Sequence, residues 1–210
     1  MFISLGGNCA ITYQLNKHKV RDEAYPFDWC KIDIKDLIQV LKNNFKDYDN
    51  VDIYCVSNKH KKFDNDNNIL APESTMFKNK YCLFAHEVDD KNIFCESLKR
   101  RIERFKKLSH NTIKYNKINS FKHNILTFIR LELKRPTYDY MNQIIRLCEE
   151  LNKYFDKFIL KIIIHKSFQE YYENYCEQYS IEYNVRIYYF DEFSDDWKFD
   201  LFDWKTQIFE

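Results

Sequence analysis

Short, almost uninterrupted apolar runs alternate along this chain with segments in which apolar residues recur every three or four positions. Runs at 1–5, 51–56, 81–85, 125–129, 158–164 and 185–190 have the length, and the lack of alternation, of strands covered on both faces. Between them, Ile34, Leu37, Ile38, Leu41 and Phe45 fall on one helical stripe, as do Phe94, Leu98, Ile102, Phe105 and Leu108. Met141, Ile144, Ile145, Cys148, Leu151 and Phe155 form the clearest stripe, and shorter helices are expected over 10–18 and 168–179. This alternation predicts an α/β fold: a single domain over 1–210 with a mostly parallel sheet flanked by helices, in a Rossmann-like arrangement. Residues 57–79 are polar and irregular, which predicts a loop or lid.

The chain has two glycines, Gly6 and Gly7, side by side after the first apolar run. Average usage would scatter about fifteen through a chain of this length, so the residue has been kept at one strand-to-helix turn, where positive φ or close backbone approach requires it. Cys9 opens the helix that follows. Unpaired amides and the positive end of the helix dipole favour a thiolate there, which predicts a thiol pKa lowered from about 8.5 toward neutrality. The plainer alternative is that the glycines only turn the chain and Cys9 packs as a small apolar residue.

In an open parallel sheet, ligands bind beyond the carboxyl ends of the strands. Cys9, His86, Arg130 and His165 all fall at or just past such ends. A nucleophilic cysteine needs an imidazole within reach, a role open to His86 or His165. Asn8, with Gly7 in the same turn and the backbone amides of Cys9 and Ala10, is placed to stabilise an oxyanion. Arg130 would hold a substrate carboxylate or phosphate, or else pair with Glu132.

The rest of the composition narrows the field. Seven scattered cysteines with no C-x-x-C pair argue for reduced thiols. Cys82 and His86 alone approach metal-ligand spacing and lack a partner pair, so neither a metal nor another cofactor is expected. Without an apolar stretch of 18 residues or a signal-peptide pattern, the reading is a cytoplasmic chain with no membrane partner. Abundant Lys, Asn and Ile suggest an AT-rich coding sequence, as in large DNA viruses, which would place the chain in a host cytoplasm. Residues 99–135 carry twelve Lys or Arg against two acids, whereas 187–210 carry seven acids against two bases. The basic stretch could follow a nucleic-acid backbone, or be a solvated helix face with the acidic tail folded against it. Leu15 stands where a phosphatase loop needs arginine, and neither a P-loop nor a Gly-x-Ser-x-Gly elbow is present.

The segment Ser4-Leu5-Gly6-Gly7-Asn8-Cys9, followed by Tyr13-Gln14-Leu15, Arg21 and the block Tyr25-Pro26-Phe27-Asp28-Trp29, resembles the domain of unknown function 1796 family (DUF1796), described as papain-like cysteine peptidases. The likeness continues through Phe84-Ala85-His86, the Arg100–Phe105 helix, Leu126–Arg130, Trp197 and Trp204. It implies Cys9 as nucleophile and His86 as base, with Asp28 orienting the imidazole or shaping the pocket. Asp28 would otherwise be a buried corner capping the helix near Ile34. Papain-like enzymes carry their histidine on an antiparallel barrel half, whereas the pattern here predicts a parallel sheet and not two papain lobes. The leading expectation is a cysteine-dependent hydrolase, peptidase-like or acyl-transferring, acting on a small-molecule or protein substrate. The alternatives are a binding module that recognises a nucleotide, sugar or phosphorylated partner, and nucleic-acid binding through 99–135.

Overall fold

Successive side chains of a strand point to opposite faces, and here the two faces find different partners. The structure is a computed structural model that describes residues 1–57, 74–118, 125–133, 139–170, 183–191 and 197–210. In chain order the elements are β1 (Phe2–Ser4), α1 (Cys9–Lys17), β2 (Cys30–Ile32), α2 (Ile34–Lys42), β3 (Asp52–Ser57), β4 (Ser74–Lys78), β5 (Cys82–Phe84), α3 (Lys91–Ile118), β6 (Leu126–Leu131), α4 (Tyr140–Asn152), β7 (Phe158–His165) and β8 (Val185–Phe190). A 3-10 turn at Lys166–Phe168 and a π-turn at Lys205–Phe209 are also present.

β1, β6, β7 and β8 form a parallel sheet in that spatial order. Ile3, Leu126, Phe128, Leu160, Ile162 and Ile164 point from it into a core shared with α2, α3 and α4. Ile129, Leu131, Ile163 and Phe190 point the other way, against Ala10, Ile11 and Leu15 of α1 and against Phe199, Phe202, Trp204 and Ile208 near the carboxyl terminus. Burial on both faces explains why these strands read as continuous apolar runs.

The fold is mixed α/β, and the expectation of one mostly parallel, Rossmann-like sheet is corrected by a second sheet. β2, β5, β4 and β3 pair antiparallel in that order, inserted in the chain between β1 and its neighbour β6. Two of its strands were hidden: β2 is three residues just after the Pro-Phe-Asp-Trp block, and β4 lies inside the polar stretch expected as a loop. The remainder of that stretch, 58–73, and positions 171–179 of the expected helix over 168–179 lie outside the described residues. α2 ends at Lys42, earlier than its stripe suggests, because Asn44 and Phe45 take positive φ. Among the described residues no helix is long and apolar enough to cross a membrane.

The two glycines are required by geometry. Gly6 and Gly7 have φ of +71° and +88°. A Cβ on Gly7 would lie 2.3 Å from the Leu131 carbonyl oxygen, and one on Gly6 would lie 2.6 Å from Ile32 and 2.9 Å from the Cys30 sulfur. Gly7→Ala is therefore expected to destabilise the protein by at least about 2 kcal/mol, combining left-handed backbone cost with a backbone clash. Urea denaturation measures this, and an unchanged midpoint would contradict it.

Candidate active site

Asn8 ends the glycine turn in extended backbone and accepts the Ala10 N–H on its side-chain oxygen at 2.8 Å, capping α1. That bond commits one of the two amides expected around an oxyanion. Cys9 occupies the first helical position, half-buried, and its thiol donates to the Trp29 carbonyl oxygen at 3.5 Å. The same oxygen accepts the Ala85 N–H at 2.9 Å. One carbonyl thus ties the thiol to the residue preceding His86.

Trp29 is fixed from the other side by a relay of buried groups. Its N–H donates to the Thr12 hydroxyl at 3.0 Å, and that hydroxyl donates to Asp28 at 3.3 Å. Asp28 is fully buried, accepts the Tyr25 N–H at 2.7 Å and forms an ion pair with Arg21. It is a corner aspartate that sets the Trp29 peptide; the residue at the N-cap of α2 is instead Asp33. Trp29 and His86 both lie in the left-handed region, at φ +56° and +57°. Their ring centroids are 5.4 Å apart, and the Trp197 indole stacks on the imidazole at 4.5 Å with planes 21° apart. Tyr13 meets Trp197 edge-on at 5.4 Å. Strained non-glycine backbone beside a thiol and an imidazole is the kind of arrangement functional sites retain.

The electrostatics reverse the expected activation of the thiol. Burial pushes the Cys9 pKa up to about 12, and the Glu87 carboxylate adds to the rise. Lys31 and the backbone N–H of Cys9 itself act in the opposite direction and are outweighed. The helix terminus is worth about 0.3–1 kcal/mol to a nearby charge at exposed sites, less than the desolvation of a thiolate. The resting sulfur is a protonated thiol.

The other expected residues lie elsewhere. Arg130 is buried and all three of its guanidinium nitrogens are engaged: by Glu132, by the Leu5 carbonyl at 3.1 Å and by the Ile32 carbonyl at 2.9 Å. It serves the framework and does not face a substrate anion. His165 contacts the Ser167 hydroxyl at 2.8 Å and the Asp191 carbonyl at 3.0 Å at the ends of β7 and β8. A cavity of about 380 Å³ opens at that end of β8, between Phe190 and Leu201, and Cys9 does not line it. In the basic segment, Lys99 pairs with Glu96, Arg101 with Glu87, and Arg104 with Glu23 and the Ala24 carbonyl. Residues 119–124 and 134–135 of that segment lie outside the described residues. Among the described residues no three His, Cys, Asp or Glu side chains converge on a cation site.

Thr12, Glu87 and Arg101 were missed. Arg101 had a readable signal, since it falls three residues after Leu98 and four before Phe105, on the apolar stripe of α3. A charged side chain there is buried and needs a partner.

Comparison with known proteins bears on the same residues. A family model described as "Putative papain-like cysteine peptidase (DUF1796)" matches residues 1–168. An uncharacterized protein, R408, of Acanthamoeba polyphaga mimivirus is 31% identical over 147 residues, 64% of this chain. The match spans 62% of that relative's length. No solved structure matches.

Two outcomes are expected. Alkylation of Cys9 by iodoacetamide should keep rising between pH 7 and 9.5, by about tenfold per pH unit, because a pKa raised to about 12 leaves the thiolate fraction growing throughout. A plateau near neutrality, read by mass spectrometry of the Cys9 peptide, would show an activated thiolate instead. Asp28→Asn should cost about 3 kcal/mol in urea denaturation, since it leaves the Arg21 guanidinium buried and uncompensated.

Proposed function

Because the chain belongs to the DUF1796 family, we propose that it is a cysteine-dependent hydrolase that attacks an acyl carbonyl with Cys9, using His86 as acid–base partner. The observation that carries this reading is the Trp29 carbonyl, which receives both the Cys9 thiol and the amide preceding His86. Separate stretches of chain are thereby anchored to one oxygen at the tip of α1.

The high thiol pKa defines the order of events. Preforming the thiolate at pH 7 would cost about 7 kcal/mol, so ionisation has to accompany attack. As substrate displaces water from the α1 tip, His86 takes the Sγ proton while sulfur bonds to the carbonyl carbon and the carbonyl electron pair moves to oxygen. The positive end of α1 stabilises that oxyanion. Collapse of the adduct expels the leaving group, which receives the proton from His86, and a thioester remains on Cys9. Water, deprotonated by His86, then releases the acid, and the thiolate recovers its proton.

A p-nitrophenyl ester provides the test. Cys9→Ala should lower its hydrolysis at least about 100-fold, and acid-quenched wild-type protein should carry the acyl group on Cys9. A folded Cys9→Ala protein that keeps the wild-type rate, or an acyl group found on another residue, overturns the reading.

A further inference from the structure

We infer that Glu87, clamped by Arg101, is the positioning residue for His86, fixing the imidazole beside the tip of α1. The inference rests on reading Cys9 and His86 as the reacting pair. His86 has φ +57°, a conformation that costs an L-residue about 1–2 kcal/mol and persists only where both neighbours are held. On its amino side, the Ala85 N–H is bonded to the Trp29 carbonyl at 2.9 Å. On its carboxyl side, the Glu87 carboxylate takes both terminal nitrogens of Arg101, Nη1 at 2.5 Å and Nη2 at 2.8 Å. Arg101 projects from the stripe of α3 whose Phe94, Leu98 and Phe105 are buried in the core, so the clamp stands on a rigid element.

The burial of this pair argues that it serves position more than stability. The side chains of Glu87 and Arg101 are only 5% and 10% exposed. An apolar pair of similar volume would be as stable or more so in such a place. Among the described residues the buried Arg101 Nε moreover meets no hydrogen-bond acceptor, a cost that a pair selected for stability alone would avoid. A fork-to-fork contact does give what an apolar pair cannot, a fixed direction for the chain that leads out of His86.

Glu87 also acts on the nucleophile. Arg101 on α3 faces it, and Asp28 and Arg21 lie close enough to influence it from the 21–28 turn. Burial raises its carboxyl pKa and Arg101 opposes the rise. Its charge in turn raises the Cys9 thiol, against Lys31. One carboxylate therefore reaches both reacting groups, His86 through the backbone and Cys9 through its field.

These two effects have opposite signs, which makes them separable. Glu87→Gln keeps the side-chain volume while removing the charge and half of the fork. Iodoacetamide should then alkylate Cys9 about threefold faster at a given pH, because a repelling charge is gone. Ester hydrolysis should nevertheless fall about tenfold, because the imidazole is no longer held in place. Arg101→Lys retains the charge pair but not the fork: alkylation should stay at the wild-type rate while hydrolysis again falls about tenfold. In both variants the His86 imidazole proton resonances should move from their wild-type positions. Unmoved resonances in both variants, or hydrolysis at the wild-type rate in both, overturns the inference. A Cys9→Ala protein with full turnover would sink the hydrolase reading alone, since the His86 resonances report on Glu87 whether or not Cys9 reacts.

Discussion

Arg130 projects from β6, an inner strand of the parallel sheet, and gives one N–H to the Leu5 carbonyl, just past the end of β1, and another to the Ile32 carbonyl, at the end of β2. β1 and β2 belong to different sheets, and among the described residues no strand pairing joins those sheets. The third nitrogen meets Glu132, which also accepts the Tyr140 hydroxyl at the start of α4. A single buried cation therefore locks the parallel sheet, the antiparallel sheet and a helix to one another. Burying it costs several kcal/mol, offset by a carboxylate and two carbonyls in good geometry. The glycine turn and Cys9 follow Leu5 directly, and Trp29 lies three residues before Ile32. The distance from thiol to Trp29 carbonyl is thus set within a few residues of this junction.

At that junction two electrostatic effects compete for the sulfur, and their sizes decide the outcome. The end of α1 favours negative charge, but its cap already uses the Ala10 amide, and burial of the sulfur itself opposes ionisation. Desolvation wins. A thiol kept neutral is poorly reactive toward oxidants and stray electrophiles. The stacked Trp197 indole covers one face of the His86 imidazole and leaves its ring nitrogens at the edge.

Much of this was legible in the sequence. The apolar runs gave the four strands of the parallel sheet, and the glycine pair located the turn to Cys9. The helical stripes of α2, α3 and α4 were also readable, because each has a single apolar face against the core. The antiparallel sheet was harder to see. β2 is too short for a period, and β4 lies in polar surroundings because only one side of it is covered. Arg130 was noticed for its charge, but no pattern along one chain says whether a buried guanidinium meets carbonyls or a ligand. The thiol illustrates the same limit. Its helix position could be read and its favourable dipole inferred, but burial depends on Trp29 and the loop after β5, which only the tertiary fold brings to it.

The pairing of β1 with β6 also has a consequence for how the polypeptide is made. Leu5 and Arg130 are 125 residues apart, so the first strand leaves the ribosome long before its sheet neighbour has been translated. During that interval an apolar segment with unpaired backbone edges is exposed, and its eventual contacts are of the slow, non-local kind. The inserted antiparallel sheet, in which β4 and β5 are hairpin neighbours and β2 joins β5 from further back in the chain, lies wholly before β6 and is able to form earlier and to shelter part of that segment. Nascent chains halted before β6 should therefore depend on chaperones more than the finished protein does.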